Sequence, residues 1–465
     1  MPAEVSRIRQ IFENRVKMSA RRLAMPMHDL KLVAMRALVT GTSTFFAPLL
    51  IRGLGLQGVD VTAADSRWIS MGKWSRYAAR RRWLPVLSRE PAEYMNAVVR
   101  ELQRVRYDFL LPTFEESLLF AEYRAELEPF TQLFLPPFET MWQVHHKPSL
   151  YRLCRDLRIP APPTVLPENP TRLCQKTAEL RFPVVVKLPA ANNCVGRSFC
   201  ENLPELIVRY SELHEQETRR GSAAPFVQQK VIGDPIYTLM FCHEGRKLGE
   251  VIYRPLRTYP ERGGTSAHRE SIEHPRIAAL TERLALATGW SGFLGLDFIV
   301  DGSDETPFLI DANPRANPGV QLGFLAGVDW TGILIDLVQG RHREPVSALP
   351  GIRTRSFLLD TGWLFEGCAP QKNWIANAWR RIAKYRKPDW QLTVPNEFLV
   401  NGEWGCALAM WCQGLAGAVK SLVTDRTIGE TMLDDVNYDA VSAQRLRLNN
   451  PIEQRLLPAA TNSLS

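Results

Sequence analysis

The sequence predicts a mixed α/β and α+β protein, with a Rossmann-like N-terminal domain, a two-lobed body and a C-terminal appendage. Three observations carry this. The chain has 465 residues, about three domains at ~150 residues each. Residues 37–65 run in a strand–turn–helix–strand rhythm. Residues 292–319 read as a hairpin whose acidic residues fall on one face and whose apolar residues fall on the other.

Composition narrows the class. A hydrophobic fraction of 45% with 23% charged residues excludes a disordered chain, a collagen-like repeat and a small disulfide scaffold. Lysine and arginine number 57 against 49 acids, a net charge of +8. That balance admits nucleic acid, an anionic membrane or an enzyme that collects phosphates in a basic cleft. The eight cysteines contain no C-x-x-C pair, which fits a reduced, cytoplasmic chain. No secretory signal is evident at the start, and no run reaches the ~18 apolar residues of a spanning helix.

Taken in order, residues 1–35 are polar and basic and read as an extension. Ala37-Leu38-Val39-Thr40 is a buried-strand pattern, Gly41-Thr42-Ser43 its turn, residues 45–53 a helix and residues 59–63 a second strand ending in Asp65. The turn has one glycine, so a dinucleotide fingerprint is absent. Residues 107–112 give another buried strand, followed by Thr113 and the pair Glu115-Glu116. Past residue 340 the pattern loosens and tryptophans gather, marking the appendage. Within it, the uncharged stretch 405–419 reads as a helix, either buried or interfacial.

The chemistry concentrates in the hairpin. Symmetry about Asp304 sets Asp297 opposite Asp311, and Asn313, two residues on, points the same way. Leu294, Leu296, Phe298, Val300, Phe308 and Ile310 are expected on the opposite, apolar face. Two facing carboxylates repel and need a cation between them. Oxygen-only ligation favours magnesium, which keeps waters and bridges to phosphates.

Asp311-Ala312-Asn313-Pro314-Arg315 resembles the E-x-N-x-R signature of the ATP-grasp superfamily, with aspartate where glutamate is usual. The upstream order is similar too. His146-Lys147-Pro148, then Ile159-Pro160-Ala161-Pro162-Pro163-Thr164, resembles the family's D-K…G-I-P-x-P-x-T opening. Phe182-Pro183-Val184-Val185-Val186-Lys187 resembles its F-P-x-x-x-K-P strand, and Phe226 through Asp234 its V-Q-E-F-I-x-G-D hinge. The resemblance covers residues 36–340.

That resemblance implies a Rossmann-like pre-ATP-grasp domain at 36–140, a central ATP-binding lobe at 141–234, a metal-binding lobe at 235–340 and a Trp-rich appendage at 341–465. It implies that Lys147 and Lys187 hold ATP phosphates and that Asp297, Asp311 and Asn313 hold Mg2+, with Mn2+ as a substitute. The backbone at Lys230 and Val231, beside Gln229, would read adenine, Asp234 the ribose, and Ser198 of the 190–198 loop a phosphate. Arg315 and Arg254 would steady the transferred group, and His268 reads as a surface histidine or a base.

The implied reaction activates a small-molecule carboxylate as an acylphosphate and couples it to an amine or similar nucleophile. The alternatives are a non-catalytic ATP-sensing or scaffold protein on the same frame, or a carboxylase or carbamoyl-phosphate-type enzyme, although no A-M-K-M biotin-carrier motif occurs. Nucleic acid is not expected as a partner; a homo-oligomer is compatible with the sequence. Basic residues interleave with aromatics at 73–83 and 379–387, a pattern that suits a solvated helix face or peripheral contact with anionic lipid at the inner membrane surface.

Overall fold

The computed structural model describes residues 35–190, 197–259, 261, 264–365, 379–383, 402–424 and 434–438. The expected basic extension, residues 191–196 of the phosphate loop and residues 384–387 of the second basic–aromatic segment lie outside the described residues.

The first sheet holds β1 (Arg36–Val39), β2 (Asp60–Asp65), β3 (Ala78–Trp83), β4 (Phe109–Leu111) and β5 (Gln132–Leu133), all parallel in the order β3-β2-β1-β4-β5. Unbroken apolar runs place β1 and β4 at the centre, where helices cover both faces. β3 alternates half-buried and exposed residues along Ala-Ala-Arg-Arg-Arg-Trp, as a charged edge strand should. The turn after β1 is closed by the chain's own carboxylate. Ser43 donates its N–H (2.7 Å) and hydroxyl (2.9 Å) to Asp65. Gly41 has φ +64°, and a Cβ there would stand 2.4 Å from Glu116 Oε1, so both conformation and space call for glycine.

The second sheet contains β6 (Thr164–Val165), β7 (Val184–Lys187), β8 (Ser198–Cys200) and β9 (Phe226–Gln229), antiparallel in the order β6-β9-β7-β8. Helices Pro170–Thr177 and Leu203–Arg220 begin at Asn169 and Asn202, whose side chains cap the first turn. They cover one face over Leu173, Val184, Val186, Leu206, Tyr210 and Val227. Because side chains alternate, Lys187 and Gln228 go to the other face.

The third sheet runs β14-β13-β10-β11-β12-β16, from β10 (Gly233–His243), β11 (Arg246–Tyr259), β12 (Thr265–Ser271), β13 (Gly292–Asp301), β14 (Pro307–Asn313) and β16 (Arg353–Arg355), with β15 (Val346–Ser347) parallel to β11. The sheet therefore continues past residue 340. One face packs Leu294, Leu296, Phe298, Met240 and Ile252 against helix Pro275–Thr288. The other joins Leu239, Phe241, Val251 and Tyr253 to helix Trp330–Val338 and to β1 and β2 of the first sheet.

The β13–β14 register sets Asp297 opposite Asp311 and Gly295 opposite Asn313. Beyond Asp297 it shifts, so Phe298 faces Leu309. This corrects the expected apolar face: Leu309 is fully buried there, while Phe308 and Ile310 are only half-buried. Ile310 is the extra residue of a β-bulge.

The segment past 340 is tied to the first domain as well. Helix Trp404–Val423 buries Cys406, Ala407, Ala409 and Met410 against Phe45, Met71 and Leu359. Further on, Tyr438 donates its N–H to Glu115 (3.1 Å) and its hydroxyl to Glu122 (2.8 Å). Among the described residues no single helix is long and apolar enough to cross a membrane.

Candidate active site

One rung of the third sheet runs Asp311–Asp297–Tyr237–Tyr253–Ser271 across five strands. Neighbours on a rung share a face, so the two carboxylates and two tyrosines look toward the first domain. Helix Lys147–Asp156 enters this space from above. Its first N–H donates to the Pro189 carbonyl (2.9 Å), and the buried Lys147 ammonium sits 3.1 Å from Asp311 Oδ1.

The bulge makes the next contact. A bulged residue leaves the ladder, and the Ile310 carbonyl is taken instead by side chains. Tyr151, one turn after Lys147, donates its hydroxyl to it at 2.7 Å. Lys187 lies 3.4 Å from the same oxygen and 2.7 Å from Gln228 Oε1. Gln228 is oriented by Thr164, 2.9 Å from its amide nitrogen. The central lobe and the metal-binding strand thus meet at one backbone oxygen.

Arg315 completes the group. It is half-buried, donates from Nη2 to Asn313 Oδ1 (3.1 Å) and stacks 4.1 Å from the centre of the Phe114 ring. Burial lowers its pKa, while the carboxylates of Glu115, Asp297 and Asp311 act in the opposite sense; a guanidinium remains charged. Burial, then the Asp311 charge, pushes Asp297 up to about 7, opposed by Arg315, Lys147 and Lys187. His145, just before Lys147, is buried and pushed down to about 3, first by burial and then by the Lys147 charge.

The structure thus brings together Lys147, Lys187, Asp297, Asp311, Asn313 and Arg315. It does not bring Arg254 to them. Arg254 follows Tyr253, so it projects from the opposite face of the sheet, half exposed and bonded to Glu270 at 2.6 and 2.8 Å. His268 is not a surface residue: it is buried between Arg257 and Arg355 on adjacent strands. At the hinge, Gln229 accepts from the Arg181 N–H (3.1 Å) and the Lys230 N–H donates to the Pro183 carbonyl (3.0 Å). Val231 lies in the link between β9 and β10, Asp234 is exposed on β10 opposite Val300, and Ser198 opens β8.

Sequence reasoning missed Tyr151, Gln228 and Arg269. The first two carried signals, Tyr151 lying four residues after Lys147 on one helix face and Gln228 standing within the hinge motif itself. Arg269 is fully buried on the carboxylate face and donates to the Pro318 carbonyl. Its side of the sheet depends on a register between distant strands.

No family model and no curated protein matches this sequence. Solved structures do. A biotin carboxylase–β,γ-ATP complex from Campylobacter jejuni is similar over 68% of this chain and 74% of its own, at TM-score 0.59 and 16% identity. The fold is that of the ATP-grasp enzymes. A second ATP-grasp structure, the biotin carboxylase domain dimer of Hydrogenobacter thermophilus 2-oxoglutarate carboxylase with MgADP, ADP and bicarbonate, matches over 68% and 72% (TM-score 0.55, 16% identity). Phosphoribosylamine–glycine ligase from Thermotoga maritima matches over 69% and 78% (TM-score 0.55, 15% identity). At such identities the ATP-grasp likeness is one of architecture.

Proposed function

We propose that the chain is a Mg2+–ATP-dependent ligase that joins a small-molecule carboxylate to an amine or similar nucleophile. The observation that carries this reading is the convergence of Lys147, Lys187 and Arg315 on the rung that presents Asp297 and Asp311. Three buried or half-buried cations beside two carboxylates suit a polyphosphate accompanied by a divalent ion. The complexes of the C. jejuni and H. thermophilus proteins with adenine nucleotides support the same assignment.

The donor set fits magnesium. Among the described residues no cluster of three or more His, Cys, Asp or Glu exists, as would be expected for zinc or for an all-protein calcium cage. Two carboxylates and the Asn313 amide oxygen instead suit an ion that completes its shell with water and phosphate oxygens. Bound there, Mg2+ would neutralise phosphate charge.

The chain's own residues divide the remaining work. Lys147 and Lys187 hold phosphate oxygens as point charges. Arg315, pinned by Asn313 and Phe114, faces the charge that develops as the substrate carboxylate oxygen bonds to the γ-phosphorus and ADP departs. The nucleophile then attacks the acyl carbon and inorganic phosphate leaves with the C–O bond, the nucleophile losing its proton. The hinge residues Gln229, Lys230 and Val231, with Asp234 and Ser198, are assigned to the nucleotide. Arg254 has no part, because it lies behind the sheet.

The test is hydroxylamine trapping during incubation with Mg2+–ATP and pools of amino and hydroxy acids. A hydroxamate that forms with ADP, and only with a particular acid present, is expected. ATP bound without any acid-dependent ADP would refute the ligase.

A further inference from the structure

We propose that the crevice between helix Lys147–Asp156 and the segment 159–166 binds a small molecule that carries an oxyanion head on an apolar body. The crevice holds about 690 Å³, the size of a small-molecule site. Its floor is apolar and buried or half-buried, with Pro148, Ile159, Pro160 and Pro162 beside the ring of Tyr151. Exposed Arg152, Arg155 and Arg158 form its rim, and among the described residues no carboxylate lines it. None of the residues assigned above to the nucleotide or to the metal lines it either.

The arginines select the ligand. Arg155 has Asp156 at 3.6 Å and a last-turn place that suits the helix dipole. Arg152 and Arg158 are different, since among the described residues neither has a carboxylate partner. Arg158 is also held in the left-handed region at φ +54°, where a side chain is strained and glycine is the usual residue. The helix closes there in a Schellman turn. The Arg158 N–H donates to the Arg155 carbonyl (3.1 Å) and the Ile159 N–H to the Cys154 carbonyl (2.7 Å). Arg283 fixes the turn, donating to the Leu157 and Arg158 carbonyls, both at 3.2 Å. Glycine would make the same turn without strain, so what arginine adds is its guanidinium. Two guanidinia without carboxylates over an apolar floor suit a carboxylate or a phosphate monoester. Tyr151 lines the crevice and bonds the Ile310 carbonyl that Lys187 also approaches. The crevice and the proposed nucleotide site are therefore neighbours, and a test must tell them apart.

Calorimetric titration of the full chain with phenyl phosphate, 3-phenylpropionate and inorganic phosphate tests this. One saturable site is expected for at least one aromatic probe, about tenfold or more tighter than for inorganic phosphate. The tighter aromatic probe shows whether the head is a phosphate ester or a carboxylate. Arg152→Ala/Arg158→Gly should weaken that binding by about tenfold or more, with little change in melting temperature, since glycine suits the turn. Lys187→Met, which removes the neighbouring phosphate cation, should bind the probe as the wild type does. No saturable binding of either aromatic probe, or equal binding by the double variant, would overturn the proposal. So would loss of binding in Lys187→Met, which would put the probe in the nucleotide site, or inorganic phosphate binding as tightly as the aromatic probes. None of these readouts depends on ligase activity.

Discussion

Asp297 and Asp311 face each other across one rung of the β13–β14 ladder, and the Lys147 ammonium stands 3.1 Å from Asp311. Asp311 thus has two partners to serve, a buried lysine and the proposed metal. Asp311→Asn keeps an acceptor for Lys147 and removes the charge. Mg2+-dependent ATP turnover should fall by roughly 10²-fold or more, with little change in the urea midpoint. Asp311→Ala should do the same and also lose about 2 kcal/mol of stability, because a buried ammonium is left without its carboxylate. Turnover and urea unfolding of both variants check this; full activity in Asp311→Asn would remove Asp311 from the site.

The Asp297 pKa gives the metal a pH signature. Burial and the Asp311 charge raise it from the usual carboxylate range to about 7. A raised folded-state pKa stabilises the protein below the unfolded value and loses that contribution as pH rises through 7. A bound cation favours the ionised form and reverses the loss. Mg2+ should therefore raise the melting temperature more at high pH than at low pH, and binding below neutrality should release protons. Melting curves with and without Mg2+ across this range measure it, and Asp297→Asn should flatten the difference.

Arg254 and Arg315 look alike in sequence and lie on opposite sides of a sheet. Arg315→Lys keeps the charge but loses the fork that reaches Asn313 and the plane that stacks on Phe114. A fall of about 10²-fold in ATP turnover is expected. Arg254→Ala breaks a half-exposed pair with Glu270, which Arg353 still holds at 2.7 Å. It should change turnover by less than about threefold and stability by less than ~1 kcal/mol. Steady-state phosphate release from the two variants decides it.

These contrasts show what a sequence can and cannot convey. The Asp297–Asp311 pairing was legible as a symmetric hairpin, but the protein reaches it by another route. The loop sets Val300 opposite Pro307 and Phe298 opposite Leu309, and the extra residue Ile310 then brings Asp297 opposite Asp311, after which alternation places Asn313. The bulge at Ile310 was not legible, since an added residue in a strand leaves the apolar pattern nearly intact. Yet that bulge creates the oxygen that Tyr151 and Lys187 share. The side on which Arg254, His268 and Arg269 project depends on pairing across β10, β11 and β12, two of them joined through register shifts at Pro255 and Arg257. Which face of helix Trp404–Val423 is covered depends on what packs beneath it, and only contact with Phe45 and Met71, far away in sequence, decides that.

His145 and His268 are both buried and neutral, each pushed down to about 3. For His268 burial acts first, followed by the charges of Arg257, Arg353, Arg269 and Arg355. A histidine whose folded pKa lies below its unfolded value of 6.5 takes up protons preferentially when unfolded. Stability is retained above the unfolded pKa and declines as pH falls from there toward 3. At about pH 5 each should have lost about 2 kcal/mol. Asp65, Glu116 and Asp297, whose pKa values are raised by burial, act in the opposite sense. Comparing wild type with His268→Gln cancels those carboxylates. The difference between their unfolding free energies, read from urea titrations, should change by that amount between neutral and mildly acidic buffer. A difference that stays constant with pH would mean that His268 accepts its proton as readily in the folded state as in the unfolded one.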